Sequence, residues 1–372
     1  MPTDALMKRI LTISSNDQGI SWGPAVHFLE LWNAFAGRFG GRYRIIGLVP
    51  SWTGLPSIKP SVFKLLQVRV PNVGMLRQVV FDLAAAIRIV LSRNALVYVR
   101  LSSFHLFVIA ALAIAGRPFC LEMNGISSSD SQSAGRSAWY KLWTLMQERS
   151  LIRKASVVLA VSKSIADFAL EVGARGVQVV PNSVNPDLYL IGQKPVIGPR
   201  VRIIYVGTFT SWDGSERIPD LARSFPQVEF VMIGDGSRRR VIEGRSPPNV
   251  IYTGAVPYLE LGKHYAGADA GVVLYERERH SKVELSSLKV LEYLAAGLPI
   301  FSTNVPGQEF IATHAIGRLA RGDDLTPDFR LFLSDLVQYK HNVEEYRRTI
   351  GQQYSWVHAA LITEKAISQF VS

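Results

Sequence analysis

Five short apolar runs, each ending in a glycine-bearing or polar turn, constrain the second half of this 372-residue chain. They are VRIIYVGTF (201–209), VEFVMIGDG (228–236), NVIYTGAV (249–256), AGVVLYE (270–276) and LPIFSTN (298–304). Near-continuous apolar runs of this length are what central parallel strands need, because such strands are buried on both faces. The stretches between them are long enough for crossover helices, so the pattern predicts βαβ units. The first half repeats the alternation. RILTISS (9–15), YRIIGLVP (43–50), ALVYVR (95–100), RPFCLEMNG (117–125) and SVVLAVS (156–162) are strand candidates. Helical spacing falls from about Ala25, over MLRQVVFDLAAAIRIVLS (75–92), near 138–153 and from Lys163. FHLFVIAALAIAG (104–116) is too short to span a bilayer and reads as a buried helix. Within it, His105 reads as a core residue rather than a catalyst.

Between the halves, IGQKPVIGPR (191–200) is rich in Pro and Gly and has no periodicity, as a linker would. The expectation is α/β with two Rossmann-like doubly wound domains, 1–190 and 201–372, facing across a cleft. The helical tail over 343–371 is expected to pack back toward the N-terminal domain. In open sheets of this kind ligands sit at the carboxyl ends of the strands.

Composition narrows the function classes. Hydrophobic residues make up 48%, which excludes a disordered chain. The single cysteine, Cys120, excludes an internal disulfide and fits a reducing compartment. With no secretory pattern over 1–17, the expectation is a cytoplasmic protein. The net charge of +11 is uneven: residues 1–190 carry 20 Lys and Arg against 10 Asp and Glu, residues 191–372 carry 21 against 20. A basic first half suits an anionic membrane surface, nucleic acid, or no partner at all. Nucleic acid is disfavoured because no zinc spacing, basic helix run or aromatic RNA-binding strand is present. There is no Asp-x-Asp and no His/Cys cluster, so neither metal nor cofactor is expected.

The stretch VELSSLKVLEYLAAGLPIFST (283–303) carries the most chemistry. Glu284 and Glu292 lie eight positions apart with Lys289 between them, and Gly297-Leu298-Pro299 stops the helix. Ser286, Ser287 and Leu288 would open that helix, with a serine at its N-cap and free N–H groups for an anion. Read alone, both glutamates could be a solvated helix edge and Lys289 a surface lysine.

Together with VGTFTSWDG (206–214), VMIGDGSRR (231–239), GAVPYLELGKHYAGADAGVVLYE (254–276) and ELSSLKVLEYLAAGLPI (284–300), this element resembles the donor domain of retaining GT-B glycosyltransferases of family 4, the group 1 transferases. VLAVSKSIADFAL (158–170), VQVVPNSVNPDLY (177–189), YVRLSS (98–103) and PFCLEMNG (118–125) extend the resemblance over nearly the whole chain.

The resemblance implies transfer of a sugar from a nucleotide-diphosphate sugar, UDP- or GDP-linked, to a glycan or lipid-linked acceptor in cell-surface polysaccharide synthesis. Glu292 would bind the ribose diol and Glu284 would approach the donor sugar. Ser287, Leu288, Lys289 and Lys282 would serve the diphosphate, with Gly207, Thr208 and Gly234 in the strand-end turns. Gly19 and Gly23, in QGISWG, would let backbone approach a ligand. On the acceptor side, Asn124 stands where relatives carry a histidine, and can hydrogen-bond a hydroxyl but not act as a base. Glu122 and Arg100 are its expected companions.

One departure stands out. Thr208 and Asp213 occupy places where the family commonly has cations for the leaving diphosphate, leaving Arg277, Arg279, Lys282 and Lys289 as substitutes. This keeps a non-catalytic GT-B binding protein as the alternative. The basic first half suggests a peripheral position on the inner face of the plasma membrane, through Arg38, Arg42, Arg44, Lys59 and Lys64.

Overall fold

The computed structural model describes residues 7–16, 23–52, 62–128, 137–189, 200–210, 213–277, 284 and 286–371. They form two compact units, one of residues 1–182 with 356–372 and the other of 183–355. The expected linker 191–200 lies outside the described residues, apart from its last.

The first unit is a seven-stranded parallel sheet. Its strands and helices alternate as β1 (Lys8–Ile13), α1 (Gly23–Phe39), β2 (Tyr43–Ser51), β3 (Lys64–Arg69), α2 (Gly74–Leu91), β4 (Ala95–Arg100), α3 (Leu106–Ala115), β5 (Phe119–Met123), α4 (Ala138–Lys154), β6 (Val157–Ala160), α5 (Lys163–Val172) and β7 (Val177–Val179). The spatial order is β3-β2-β1-β4-β5-β6-β7. β4, β5 and β6 are buried throughout, as their continuous apolar sequences require. β3, an edge strand, has only exposed and half-buried positions, and only LLQV marks it in sequence.

The second unit continues with β8 (Arg202–Gly207), α6 (Ile218–Ser224), β9 (Glu229–Gly234), α7 (Arg239–Gly244), β10 (Val250–Gly254), α8 (Leu261–Ala266), β11 (Ala270–Val273), α9 (Leu288–Ala295), β12 (Ile300–Thr303), α10 (Glu309–Thr313), β13 (Gly317–Ala320), α11 (Thr326–Ser334) and α12 (Leu336–Gln353). Its parallel order is β10-β9-β8-β11-β12-β13. Phe225, Phe230, Phe301 and Phe332 pack around Phe329 in its core.

The helical tail divides. Tyr354-Ser355 separates α12 from a last helix, α13 (Trp356–Ile367). α13 packs on α1 within the first unit, with the His27 ring edge-on to buried Trp356 at 5.0 Å. The two units therefore divide the chain at 182/183 and 355/356, where the sequence reading drew 1–190 and 201–372. A second difference concerns α3. It was expected to be buried, yet only Val108, Ala111 and Leu112 are, while Leu106 and Ile114 face outward. The sequence is apolar all round, so no periodicity betrays its open side.

Candidate functional site

In each sheet the strand order reverses beside the first strand, between β1 and β4 and between β8 and β11. Such switch points open a crevice at the carboxyl ends of the strands.

In the second unit the groups there are Gly207 at the end of β8 with Thr208 after it, Gly234 at the end of β9, Tyr275 after β11, and the start of α9. Gly207 pairs in register with Gly234. A Cβ on Gly207 would overlap the Tyr205 hydroxyl, and one on Gly234 (φ +131°) would overlap the Gly207 carbonyl. These glycines let two turns and a ring meet, and Thr208 stands exposed beside them. Ser287 is the N-cap of α9, as expected, but its hydroxyl does not cap. It lies 2.7 Å from the Tyr275 hydroxyl, so the first-turn N–H groups of α9 receive nothing from it. Those N–H groups and the helix dipole favour an anion at this point.

Lys289, the second residue of α9, is half-buried. Its Nζ lies 4.9 Å from the Tyr205 ring centre and 5.3 Å from that of Tyr275, a geometry in which a cation is held by ring faces. Lys289 has no ion pair among the described residues.

Glu292 follows one turn later. It is only 7% exposed and accepts a hydrogen bond from the Tyr265 hydroxyl at 2.9 Å. Burial and then the Glu292 charge push the Tyr265 phenol well up, so it remains a neutral donor. Tyr189 stacks on Tyr265 at 5.4 Å. Leu288 and Glu284 lie at and just before the start of α9, both half-buried. Lys282 and Arg279 lie outside the described residues.

Asp213, which departs from the family pattern, is buried. Its carboxylate accepts from the Thr210 and Ser215 N–H groups, both at 3.1 Å, and from the Ser215 hydroxyl at 2.6 Å. It organises its own loop. Arg277, offered by the sequence as a substitute cation, donates to the Ala320 and Gly322 carbonyls at 2.6 and 3.0 Å. Of the candidate cations described, Lys289 alone is left without such a partner.

In the first unit the expected acceptor-side residues do come together. Glu122, on β5, is 3% exposed. Its Oε1 meets His27 Nε2 at 3.0 Å and Arg100 Nε at 3.5 Å, and accepts from the Asn124 amide. Its Oε2 accepts from the Tyr98 hydroxyl at 2.9 Å. Burial alone would raise this carboxyl, but the Arg100 and His27 charges and the His27 and Asn124 hydrogen bonds hold it well below the usual carboxylate range. Arg100 also donates to the Pro24 carbonyl at 2.7 Å, tying β4 to the start of α1 beside Gly23. Gly19 lies outside the described residues. Sequence reasoning missed His27 and Asn182, whose Oδ1 lies 2.6 Å from His27 Nδ1. A histidine inside the otherwise apolar inner face of α1 was the available signal. His105 is buried, its Nε2 2.9 Å from the Ser102 N–H and its own N–H bonded to Gln147.

Two parallel-stranded units of this topology define the GT-B glycosyltransferase fold. Anabaena HepE, solved with UDP-glucose, has the same fold at TM-score 0.73, with 15% identity over 97% of this chain and 100% of that one. Two family models match in succession, Glycosyltransferase Family 4 over residues 23–188 and Glycosyl transferases group 1 over residues 200–337. The chain belongs to this group 1, family 4 type of GT-B glycosyltransferase. Among curated relatives it is 27% identical over 157 residues to the gpi3 subunit of the Schizosaccharomyces pombe phosphatidylinositol N-acetylglucosaminyltransferase, 42% of this chain and 34% of that protein. It is 23% identical over 224 residues to the Bacillus subtilis putative teichuronic acid biosynthesis glycosyltransferase TuaH, 56% of each. The chain thus spans about a third and about half of their lengths.

Proposed function

We propose that this protein is a retaining glycosyltransferase that moves a sugar from a nucleotide-diphosphate sugar, UDP- or GDP-linked, to a glycan or lipid-linked acceptor at an anionic membrane surface. The observation that carries the reading is the start of α9: uncapped N–H groups, Lys289 without an ion pair, and buried Glu292 within one helical turn. A carboxylate oriented by a phenol suits a ribose diol, whose two hydroxyls donate to it. The helix start and Lys289 suit the diphosphate. Lys289 and the helix take the leaving-group charge, so the reading needs no metal.

In the step itself an acceptor hydroxyl attacks the anomeric carbon on the face the leaving group departs from. The carbon–oxygen bond to the diphosphate breaks, and the departing phosphate takes the hydroxyl proton. Glu284 attends the donor sugar. Asn124, held by Glu122, presents an amide to the acceptor. The likeness to HepE, which was solved with UDP-glucose, and to relatives named for glycolipid and teichuronic acid synthesis supports this class of substrates.

A second reading, a GT-B protein that binds nucleotide sugar without transferring it, is favoured by Asp213, which turns inward where the family carries a cation. Incubation with UDP- and GDP-sugars and lipid-linked saccharides separates the two. Transfer or slow donor hydrolysis, with the anomeric configuration kept in the product by NMR, is the expected result. Nucleotide binding without turnover of any donor would select the second reading.

A further inference from the structure

The crossovers β3→β4, β4→β5 and β5→β6 all step the same way across the first sheet. Crossovers are right-handed, so α2, α3 and α4 lie on one sheet face while α1, stepping the other way, lies on the opposite one. The two layers differ. α1 is covered by α13 and exposes no large apolar side chain. α2, α3 and α4 each bury one apolar stripe and expose another. Leu83, Ile87 and Leu91 (68% exposed) run along α2, Ile114 (79%) lies on α3, and Trp139 (70%) and Met146 on α4.

α5, the β6→β7 crossover, stands at the edge of the same face beside α4 and carries Lys163, paired with Asp167, and Glu171. On α2, α3 and α4 the charges are sorted: their two acids, Asp82 and Glu148, are buried. Asp82 accepts from the Phe107 N–H at 2.6 Å, and Glu148 from the Ser127 N–H at 2.7 Å and the Ser128 hydroxyl at 2.5 Å. The remaining charges on the three helices are cationic: Arg77, Arg88, Lys141, Arg149, Arg153 and Lys154. Asp82 caps α3 from α2, and Gln147 of α4 accepts from the His105 N–H at the start of α3, so the helices form one braced platform.

We infer that the outer face of the α2–α3–α4 layer docks on an anionic lipid bilayer. Apolar stripes ringed by cations match headgroup phosphates and the acyl boundary beneath them. A second copy of this face would set cation against cation. Among the described residues no helix is long and apolar enough to cross a membrane, so the platform lies on the surface. The inference deepens the membrane part of the proposed function and does not depend on transfer. It also moves the contact away from Arg38, Arg42, Arg44 and Lys64. Of these Arg42 pairs with Glu364 at 2.8 Å, while the fifth expected cation, Lys59, lies outside the described residues.

The test is co-sedimentation of the full chain with vesicles of phosphatidylcholine, with and without phosphatidylglycerol. Wild type should bind the anionic vesicles, weakly the neutral ones, and less as salt rises. The triple variant Ile87→Ser, Ile114→Ser, Met146→Ser should lose about tenfold or more in binding. Lys141→Glu with Arg149→Glu should lose about tenfold and most of the salt dependence. Arg38→Gln with Arg44→Gln should bind as wild type does. Melting temperature and the thermal shift given by UDP or GDP, read on each variant, show that the fold and the nucleotide site are intact. Wild-type binding by the first two variants, equal binding to neutral vesicles, or a dimer abolished by the apolar variant with no vesicle binding would each overturn the inference.

Discussion

Each unit holds a buried glutamate at which a tyrosine hydroxyl points from 2.9 Å, yet the partners around the two differ. Glu122 is enclosed by Arg100, His27, Asn124 and Tyr98, with both oxygens engaged inside the protein. Glu292 sits on a helix whose first turn is uncapped, one turn from a lysine held by two ring faces. A carboxylate saturated by its own protein stabilises. In the proposed reading, the carboxylate aimed by a neutral phenol, beside a cation without an ion pair, is the one that meets a ligand. The same residue type in the same burial class thus separates by the partners around it.

The sharpest way to break this comparison is Glu122→Leu. Removing one member of a buried charge cluster leaves Arg100 and His27 uncompensated, and should cost about 3–5 kcal/mol in urea unfolding. A loss under about 1 kcal/mol would show that the cluster is not what it is taken for. The same cluster has a pH signature. The Glu122 carboxyl titrates in the folded protein well below its ordinary value, so its stabilisation is present above that ordinary value and fades as pH falls beneath it. Acid unfolding should therefore be shallower in Glu122→Gln than in wild type.

Glu292→Gln tests the other half. Glutamine still accepts from Tyr265, so stability should change by less than about 1 kcal/mol. Nucleotide affinity should fall about 30-fold, the loss expected when charge-assisted hydrogen bonds to two hydroxyls become neutral ones. Lys289→Met should weaken UDP or GDP about tenfold and leave the free nucleoside unaffected, because only the diphosphate meets that charge. The smallest effect belongs to Glu30 on α1, whose carboxyl burial pushes up to about 7. Wild type loses that group's contribution as pH rises from its ordinary value toward 7. Glu30→Gln should therefore melt higher than wild type at pH 8, with no such gain at pH 4.

The fold was legible because parallel strands buried on both faces announce themselves as apolar runs. β4, β5, β6 and β11 do this, while the edge strands β3 and β7 have too few apolar positions to do so. α13 was hidden for another reason: the break at Tyr354-Ser355 carries neither Gly nor Pro, and the pattern ran through it. At the site, the Glu284–Lys289–Glu292 spacing and the Ser287 cap position could be read directly. What the hydroxyl of Ser287 bonds to, and the inward turn of Asp213, could not, since the first depends on the Tyr275 side chain and the second on how the loop turns the Thr210 and Ser215 N–H groups toward the carboxylate. His27 was missed because an apolar helix face hides a polar residue until its partners, Glu122 and Asn182, are brought to it from far along the chain.

The central claim is that the start of α9 with Glu292 holds a nucleotide diphosphate. The direct measurement is calorimetric titration of wild type, Glu292→Gln and Glu122→Gln with UDP and with GDP. The account predicts saturable binding of one nucleotide by wild type, a loss of about 30-fold in Glu292→Gln, and near wild-type affinity in folded Glu122→Gln. Equal affinity in wild type and Glu292→Gln, or no binding of either nucleotide, would contradict it.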